Sequence, residues 1–373
     1  MLHLSVIYFP NRLIISRFFL TLPQIKLKPI NIMKKTIFTL AMMCCAIVAN
    51  AQVTDEQSAI LQLGDNAQVF YGADALKEAL EAAPDRGATI TLSAGTFNAC
   101  EITKCVNIYG AGWVTDNTPK NNESSIENSI LPTNIVNQMV INLPEGLAAP
   151  HNIHIEGLRF SDNSYHWIKV SSTIDGLEFM RCWMPQAIRF EQQNDHVTIT
   201  QCYIAGGCTG GHDLLIQNSY TRLSQLTVLK AESNIVVNHC IVTNGYNFNY
   251  TENRFLCLNS MFSCSWLNKA QTFRYCTLNR ANLDGFVGST NNIFNVDYAT
   301  IFKDQANMEY SDTRTFELKD DLKATYMGDD NTEIGINGGN YPWNKAPHTP
   351  IVKDLQLTIS GTNLKVTYNA ETR

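Results

Sequence analysis

Apolar side chains recur along this chain at one spacing, the relative positions −5, −3, 0 and +2. Within each copy the period of two is that of a β-strand with one buried face, and the step from −3 to 0 breaks this period, which indicates a corner. The eight copies run from Ile90 to Phe97, Val106 to Trp113, Ile153 to Phe160, Leu177 to Met184, Val197 to Ile204, Ile235 to Val242, Leu256 to Ser263 and Gln271 to Leu278. The repeated order of strand, corner, strand and polar turn predicts an all-β protein whose coils stack as a parallel β-helix.

The corner position holds a cysteine in four copies, Cys182, Cys202, Cys240 and Cys276. Because free cysteine is among the most readily buried residues, we expect these side chains to stack inside the helix. Successive corner positions, counted from Gly95, are 16, 47, 24, 20, 38, 21 and 15 residues apart. The long intervals predict an unrecognised or enlarged coil.

Both ends of the predicted solenoid carry a different pattern. Asp74–Ala83 is rich in strong helix formers, ends at Pro84 and precedes the first coil, so it predicts a short helix that caps the open end. Ile351–Ala370 contains two alternating runs joined by Ser360–Asn363, which predicts a C-terminal β-hairpin. A leucine-rich-repeat solenoid would need a helical or extended outer limb in each turn, and almost no helical pattern follows Pro84.

The N-terminal 51 residues resemble an export signal. They contain no Asp or Glu, and the segment 33–51 has a Lys-Lys start, a short apolar run and an Ala-Asn-Ala site, which predicts a secretory signal peptide cleaved between Ala51 and Gln52. We interpret residues 1–32 as translation from an upstream start. The apolar run is too short to span a bilayer comfortably, so we expect a secreted protein of the periplasm, cell surface or extracellular space without a transmembrane segment.

Removing this segment makes the chain more acidic. Six of the 28 Lys and Arg residues lie in it, which leaves 22 against 34 Asp and Glu and a formal charge of about −12. This charge disfavours nucleic acid and anionic membranes as partners, but a local basic groove could still bind an acidic polysaccharide. We expect a monomer in which residues 52–345 form the β-helix with its cap and residues 346–373 form a Pro-rich linker and the hairpin.

The entry to the first coils is similar to a known family. Ala75–Ala83, Ala88–Phe97 and Val106–Gly112 resemble the capping helix, the strand ending in Gly-Thr-Phe and the strand ending in Gly-x-Gly of pectin-lyase-like right-handed parallel β-helix proteins. The signal peptide followed by Gln and the Gly338–Trp343 segment resemble exported proteins of Bacteroidetes. The first resemblance implies a right-handed β-helix that binds or cleaves a polysaccharide.

The catalytic motifs of that family do not carry over. Its hydrolase branch uses Asn-Thr-Asp, Asp-Asp, Gly-His-Gly and Arg-Ile-Lys motifs, and none of them lies on a matching coil of this sequence. The pectate-lyase signature around a catalytic Arg is also not found. Since a fold alone does not define a reaction, the sequence assigns none.

The best local mixture of titratable residues lies in the long interval before Cys240. A lyase must neutralise a substrate carboxylate, with calcium or an Arg, and must supply a base. His212, Asp213, Lys230 and Glu232 are the predicted catalytic residues, and carboxylates here make calcium a possible cofactor. The alternative is that they are solvated turn residues.

A second group of residues predicts sugar binding. Arg181 and Arg189 lie near Trp183, a combination that could stack on a sugar ring and bind its acid group, although such Arg side chains more often lie along a surface. Tyr246 and Tyr250 alternate with Asn and predict either an aromatic platform or a turn packed on the solenoid.

The sequence therefore predicts a secreted β-helix protein that engages a polysaccharide. One hypothesis is a polysaccharide lyase or glycoside hydrolase acting on an acidic glycan. The alternative is a non-catalytic glycan-binding or adhesin-like surface protein, and a structural solenoid within a larger assembly is a third. Whether the protein is an enzyme stays open at this point.

Overall fold

A computed structural model describes residues 57–114, 132–161, 168–222, 226–228, 233–243, 255–263, 267, 269–346, 351–360 and 363–371, with the backbone alone for 226–228 and for the segments beyond 350. The expected upstream segment, the signal peptide and its cleavage site at Ala51 and Gln52 lie outside these residues. Within the described part of the chain, no helix has the length and apolar character needed to cross a membrane.

The chain winds into a parallel β-solenoid with three sheets along its length. The strands, numbered in chain order, form a first sheet of β1 (Ser58–Leu63), β2 (Asn66–Tyr71), β3 (Arg86–Leu92), β6 (Cys105–Tyr109), β9 (Ile153–Glu156), β12 (Ile174–Met180), β15 (Asn194–Thr200), β18 (Asp213–Gln217), β21 (Asn234–Asn238), β23 (Phe255–Leu258) and β25 (Thr272–Arg274). The second sheet contains β4 (Gly95–Asn98), β7 (Thr133–Val136), β10 (Leu158–Phe160), β13 (Trp183–Met184), β16 (Tyr203–Ile204), β19 (Tyr220–Thr221), β22 (Ile241–Thr243), β24 (Met261–Ser263) and β26 (Thr277–Leu278). The third contains β5 (Glu101–Ile102), β8 (Val140–Ile141), β11 (Ile168–Val170), β14 (Ile188–Phe190), β17 (Cys208–Gly211) and β20 (Leu226–Val228).

Each coil contributes strands in the same order, and each strand pairs in parallel with its equivalents in neighbouring coils. Six coils supply one strand to each sheet, and the coils that begin with β21, β23 and β25 supply described strands to the first two sheets. The pairing is in register, as between β12 and β15. The predicted parallel β-helix architecture is confirmed.

The two ends of the chain depart from this parallel winding. Helix α1 (Ala75–Ala82) buries Leu76 and Leu80 against the first strands, because its apolar residues share one face. The β1–β2 hairpin, which the sequence analysis missed, adds antiparallel strands to the edge of β3. A second short helix, α2 (Tyr298–Ile301), follows the last coil, and β27 (Ile351–Ser360) pairs antiparallel with β28 (Asn363–Glu371), the hairpin that the alternating pattern predicts.

Side chains of the repeated spacing fill the solenoid interior. Cys182, Cys202, Cys240 and Cys276 are each 0% exposed and belong to the apolar core, as predicted. Burial raises the pKa of the Cys240 and Cys276 thiols to about 12, so these thiols are poor nucleophiles. Cys100 and Cys105 are free thiols.

Trp113 does not occupy the interior position that the spacing gave it. Its ring is buried in a second apolar cluster outside the coil, and Thr133 and Ile135 take the corner and next inward positions. The reason is that residues 110–132 separate β6 from β7, so the corner is not continued by the next residues in sequence.

In the seventh copy of the spacing, from Leu256 to Ser263, the predicted interior positions are wrong by one residue. Phe255, Cys257, Ser260 and Phe262 face the interior, whereas Met261 packs in the outer cluster. Apolar residues occupy both alternating faces here because the outer face of this strand is also covered, so periodicity cannot separate inside from outside.

One long interval hides an unrecognised coil, as predicted. Strands β18, β19 and β20 form it, and its corner position is Ser219, which is 0% exposed. A polar residue at the corner concealed this coil from an apolar template.

The corner between the first and second sheets repeats one hydrogen-bond arrangement. The backbone N–H of Cys182 donates to Cys202 Sγ at 3.3 Å, that of Cys202 to Ser219 Oγ at 3.0 Å, and that of Cys240 to Ser260 Oγ at 2.9 Å. A small Cys or Ser thus satisfies a buried N–H of the preceding coil, which an apolar residue could not do.

In seven coils the residue before the inward corner position adopts the left-handed backbone conformation. This row comprises Gly157, Arg181, Gln201, Asn218, His239, Asn259 and Tyr275, with φ between 45° and 71°. Its side chains hold residues 328–346, named here the C-terminal strap, which runs back along the solenoid. Asn259 Nδ2 donates to Asp329 Oδ1 at 2.7 Å, Asn218 Nδ2 to the Gly338 carbonyl at 2.7 Å, and Arg181 Nη1 to the Ala346 carbonyl at 3.0 Å.

Residues 293–336 pack over the outer face of the second sheet. They cover a row of aromatic rings on successive coils, in which Trp183 stacks on Tyr203 with ring centroids 3.7 Å apart, and Tyr203 lies 5.6 Å from Tyr220. Tyr310 crosses this row at 4.7 Å from Tyr203. The outer face of the second sheet is therefore covered by other parts of the chain.

Replacing Ser219 by Ala is expected to lower the free energy of unfolding by about 1–3 kcal/mol, because the buried N–H of Cys202 loses its acceptor. Ser219→Cys should cost less than about 1 kcal/mol, since sulfur accepts the equivalent bond at Cys202. Chemical denaturation measures both, with the half-buried Ser263→Ala as control. Equal loss in the Ala and Cys variants would contradict the proposed role of the acceptor.

Candidate functional site

A polar cleft lies on the outer face of the first sheet, and we name it the His154 cleft. Its volume is about 500 Å³. The lining residues are Asn107, Tyr109, Asn152, Ile153, His154, Gly176, Leu177, Glu178, His196 and Thr198. They come from four neighbouring coils, so the cleft exists only when the coils are stacked.

Strand alternation and register place the polar side chains of the cleft side by side. In β9 Ile153 and Ile155 face the core, so His154 and Glu156 face outward. His154 pairs in register with Asn107 of β6 on one side and Glu178 of β12 on the other. This row across three strands forms the floor of the cleft.

His154 holds a carboxylate at each ring nitrogen. Nδ1 lies 2.8 Å from Glu178 Oε2, and Nε2 lies 2.9 Å from Glu156 Oε2. The Glu156 side chain is 4% exposed and that of Glu178 is 42% exposed. Two carboxylates in unlike surroundings are therefore fixed by one imidazole.

Opposing effects set the protonation of His154. Burial lowers its pKa, but hydrogen bonds and the charges of Glu156 and Glu178 outweigh burial and raise the pKa to about 9. His154 is therefore an imidazolium at neutral pH, with both N–H groups donated to carboxylates. It cannot accept a proton from a ligand in this state.

Two further titratable residues line the cleft. The Tyr109 ring lies 5.1 Å from the His154 ring, and burial, followed by the charges of Glu156 and Glu178, raises the pKa of its phenol. His196 Nδ1 lies 2.7 Å from Asp175 Oδ1, and this hydrogen bond raises the pKa of the exposed His196. Both effects favour the protonated forms of these groups.

His212 and Asp213, two of the residues predicted to be catalytic, lie near the cleft but do not line it. His212 Nδ1 lies 2.8 Å from Asp195 Oδ1, and Asp213 accepts hydrogen bonds from the His196 N–H at 3.0 Å and from Asn234 Nδ2 at 3.0 Å. Asp213 thus bonds to neighbouring coils and not to His212. Lys230 and Glu232 lie outside the described residues.

The described residues among those predicted to bind substrate, Arg181, Trp183 and Arg189, do not form one site. Arg181 is 7% exposed and holds the C-terminal strap, whereas Arg189 is exposed on β14 of the third sheet. Tyr203 stacks on one side of the Trp183 ring, and the guanidinium of Arg159 lies 5.0 Å from its centroid. Tyr246 and Tyr250 lie outside the described residues. A role for any of them in sugar binding stays a prediction.

Trp183 also borders a second cleft of about 590 Å³ beneath residues 307–310. Tyr203 and Tyr220 form its floor, and their rings pack against Tyr310. Because these rings already contact one another, the second cleft offers few free aromatic faces for a sugar.

Among the described residues, no three His, Cys, Asp or Glu side chains are grouped so as to hold a metal ion. Calcium binding stays a prediction from sequence. Comparisons of the chain with protein-family models, with curated proteins and with solved structures found no match. The pectin-lyase-like resemblance and the Bacteroidetes origin likewise stay predictions.

Sequence analysis missed His154, Glu156 and Glu178. The signal that could have found them is the alternation His-Ile-Glu in an apolar strand, with a glutamate 24 residues later at the equivalent outward position of the next coil. Recognising it requires the exact register between coils.

The raised pKa of His154 predicts a pH dependence of stability. Because the folded value of about 9 exceeds the ordinary 6.5, the stabilisation is complete below pH 6.5 and is lost as the pH rises through about 9. An NMR titration of the imidazole and denaturation between pH 6 and 10 measure this. Glu178→Gln should lower the pKa of His154, whereas Glu145→Gln, on an exposed turn, should leave it unchanged. A wild-type value near 6.5 would contradict the arrangement.

Proposed function

We propose that this protein is an exported, monomeric, polysaccharide-binding β-solenoid that holds a glycan in the His154 cleft without cleaving it. The observation that carries the proposal is the row of outward polar side chains that the coil register brings into one cleft. The volume of about 500 Å³ falls within the range of about 300–1,000 Å³ that is usual for ligand sites. Export and the monomeric state rest on the sequence.

Three groups that could transfer a proton are poorly placed to do so. Both ring nitrogens of His154 are engaged by carboxylates, Glu156 is almost fully buried, and burial raises the pKa of the Tyr109 phenol. A general base needs an available lone pair near the operating pH. These features favour binding over catalysis.

The charge of the cleft favours a neutral glycan. Glu178 is half-exposed in the cleft, and Asp175 hydrogen-bonds His196 at its edge. The His154 cation is already balanced by two glutamates, so a uronic acid would meet carboxylates without a free cation among these residues. We therefore propose a neutral glycan rather than the acidic one expected from sequence alone.

Glu178→Gln is expected to weaken binding of a neutral hexasaccharide about tenfold, because hydrogen bonds from sugar hydroxyls to a carboxylate are stronger than those to an amide. Isothermal calorimetry with cellohexaose, xylohexaose and hexagalacturonic acid tests this on the full chain. Glu145→Gln is the matched control.

Tighter binding of the galacturonic acid oligomer than of the neutral ones would contradict the proposed glycan class. If none of the three oligosaccharides bound, or if Glu178→Gln bound as tightly as the wild type, the cleft would not be the glycan site.

The second candidate function is a lyase or hydrolase, and Glu178 is the observation that favours it. Its carboxylate is 42% exposed and lies beside the His154 imidazolium, so it alone of the two glutamates can reach a glycosidic bond. Hydrolases normally use two carboxylates and lyases need a base and a group that neutralises the substrate acid. For either reaction, Glu178 would need a second catalytic group that comes into place only when the substrate is bound.

The binding proposal predicts no product from pectic, alginate or glycosaminoglycan substrates, with or without a chelator, and no new reducing ends from neutral glycans. Absorbance of unsaturated products and a reducing-end assay measure these outcomes. Turnover that Glu178→Gln abolishes and Glu145→Gln retains would establish the enzyme instead.

A further inference from the structure

Arg181 lies where the C-terminal strap approaches the His154 cleft. It occupies the corner between β12 and β13, has a left-handed φ of 49° and is 7% exposed. Left-handed backbone is unfavourable for a long side chain, so the surrounding contacts must hold this residue in place. The sequence offered Arg181 as a sugar ligand, but its burial directs attention to its protein contacts.

One nitrogen of Arg181 lies close to both the C-terminal strap and Glu156. Nη1 donates to the Ala346 carbonyl of the strap at 3.0 Å and lies 3.5 Å from Glu156 Oε1. Nε donates to Gln201 Oε1 at 3.0 Å, and Gln201 Nε2 donates to the Pro342 carbonyl. The end of the strap is thus tied to the guanidinium directly and through Gln201.

Glu156 depends on its cationic neighbours. It is 3% exposed, its Oε2 pairs with His154, and its Oε1 makes no hydrogen bond. A buried carboxylate without a nearby cation is strongly destabilising. Arg181 faces Oε1 and His154 binds Oε2, so the two cations share one buried charge.

We infer that Arg181 is a positioning residue that joins the C-terminal strap to the His154 cleft by sharing the carboxylate of Glu156 with His154. The chain of contacts runs from the Ala346 carbonyl through Arg181, Glu156 and His154 to Glu178, which alone of these side chains is half-exposed in the cleft. Docking of the strap end thereby sets the orientation of Glu178. The consequence for a glycan rests on the proposed function, whereas the coupling itself does not.

The pKa of His154 reports this coupling. The titratable groups around His154 are Tyr109 on β6, Glu156 on β9, Glu178 on β12 and His196 on β15, and Arg181 at the corner faces Glu156. Among them Arg181 is the cation that competes for the buried carboxylate. Removing it leaves the carboxylate to the imidazolium, which strengthens the remaining pair.

Arg181→Gln is therefore expected to raise the pKa of His154 from about 9 to about 10, measured by NMR on the full chain. Arg181→Lys keeps the cation and should restore a value near 9. Arg189→Gln, which removes an exposed cation on β14, is the control and should cause no change. An unchanged pKa in Arg181→Gln would show that the carboxylate is not shared. A fall toward 6.5 would show a merely structural role and would also overturn the inference.

Hydrogen exchange tests the link to the strap. Arg181→Gln should speed exchange of backbone amides in residues 341–346 at least several-fold, while the Gly335 amide, which donates to the Asn259 carbonyl at 2.7 Å, should stay protected. Unchanged exchange at 341–346 would show that Arg181 does not hold the strap end. Neither measurement uses a glycan, so a failure to bind oligosaccharides would refute the proposed function and leave this inference standing.

Discussion

The corner between the first and second sheets is the constraint on which this solenoid depends. Each coil must reverse its inward face within two residues while every buried backbone N–H keeps an acceptor. In most coils the chain solves the first problem with a left-handed residue that points outward, followed by the inward corner residue. At three corners a small residue solves the second, because Cys202, Ser219 and Ser260 accept the N–H of the coil before them.

The outward half of the same corner organises the surface. Because left-handed residues recur at one place in seven successive coils, Arg181, Gln201 and Asn218 form a row of polar side chains. The strap lies along this row, and its backbone carbonyls accept hydrogen bonds from these three side chains. Further along the strap, the carboxylate of Asp329 accepts a hydrogen bond from Asn259. Residues 293–336 cover the neighbouring aromatic row on the second sheet, and the two clefts lie on different sheets as a result.

The amino-acid sequence predicted the side chains in the solenoid interior better than those on its outer surface. The four corner cysteines were predicted to be buried, because an interior shared by all coils imposes one spacing on each of them. The spacing misplaced Trp113 and the copy around Met261, where a covered outer face or a long insertion makes apolar residues ambiguous. The His154 cleft escaped detection because its side chains come from four coils that are separated in sequence and meet only through register.

By itself, the amino-acid sequence determined the parallel solenoid, its helix before the first coil and its C-terminal hairpin, since local periodicity and turn residues are enough to specify each of them. Tertiary structure decided which polar residues became neighbours. A shift of one residue between β9 and β12 would turn Glu178 away from His154, because successive side chains point to opposite faces of a sheet. The His154 cleft depends on that register, which no single segment of the chain encodes.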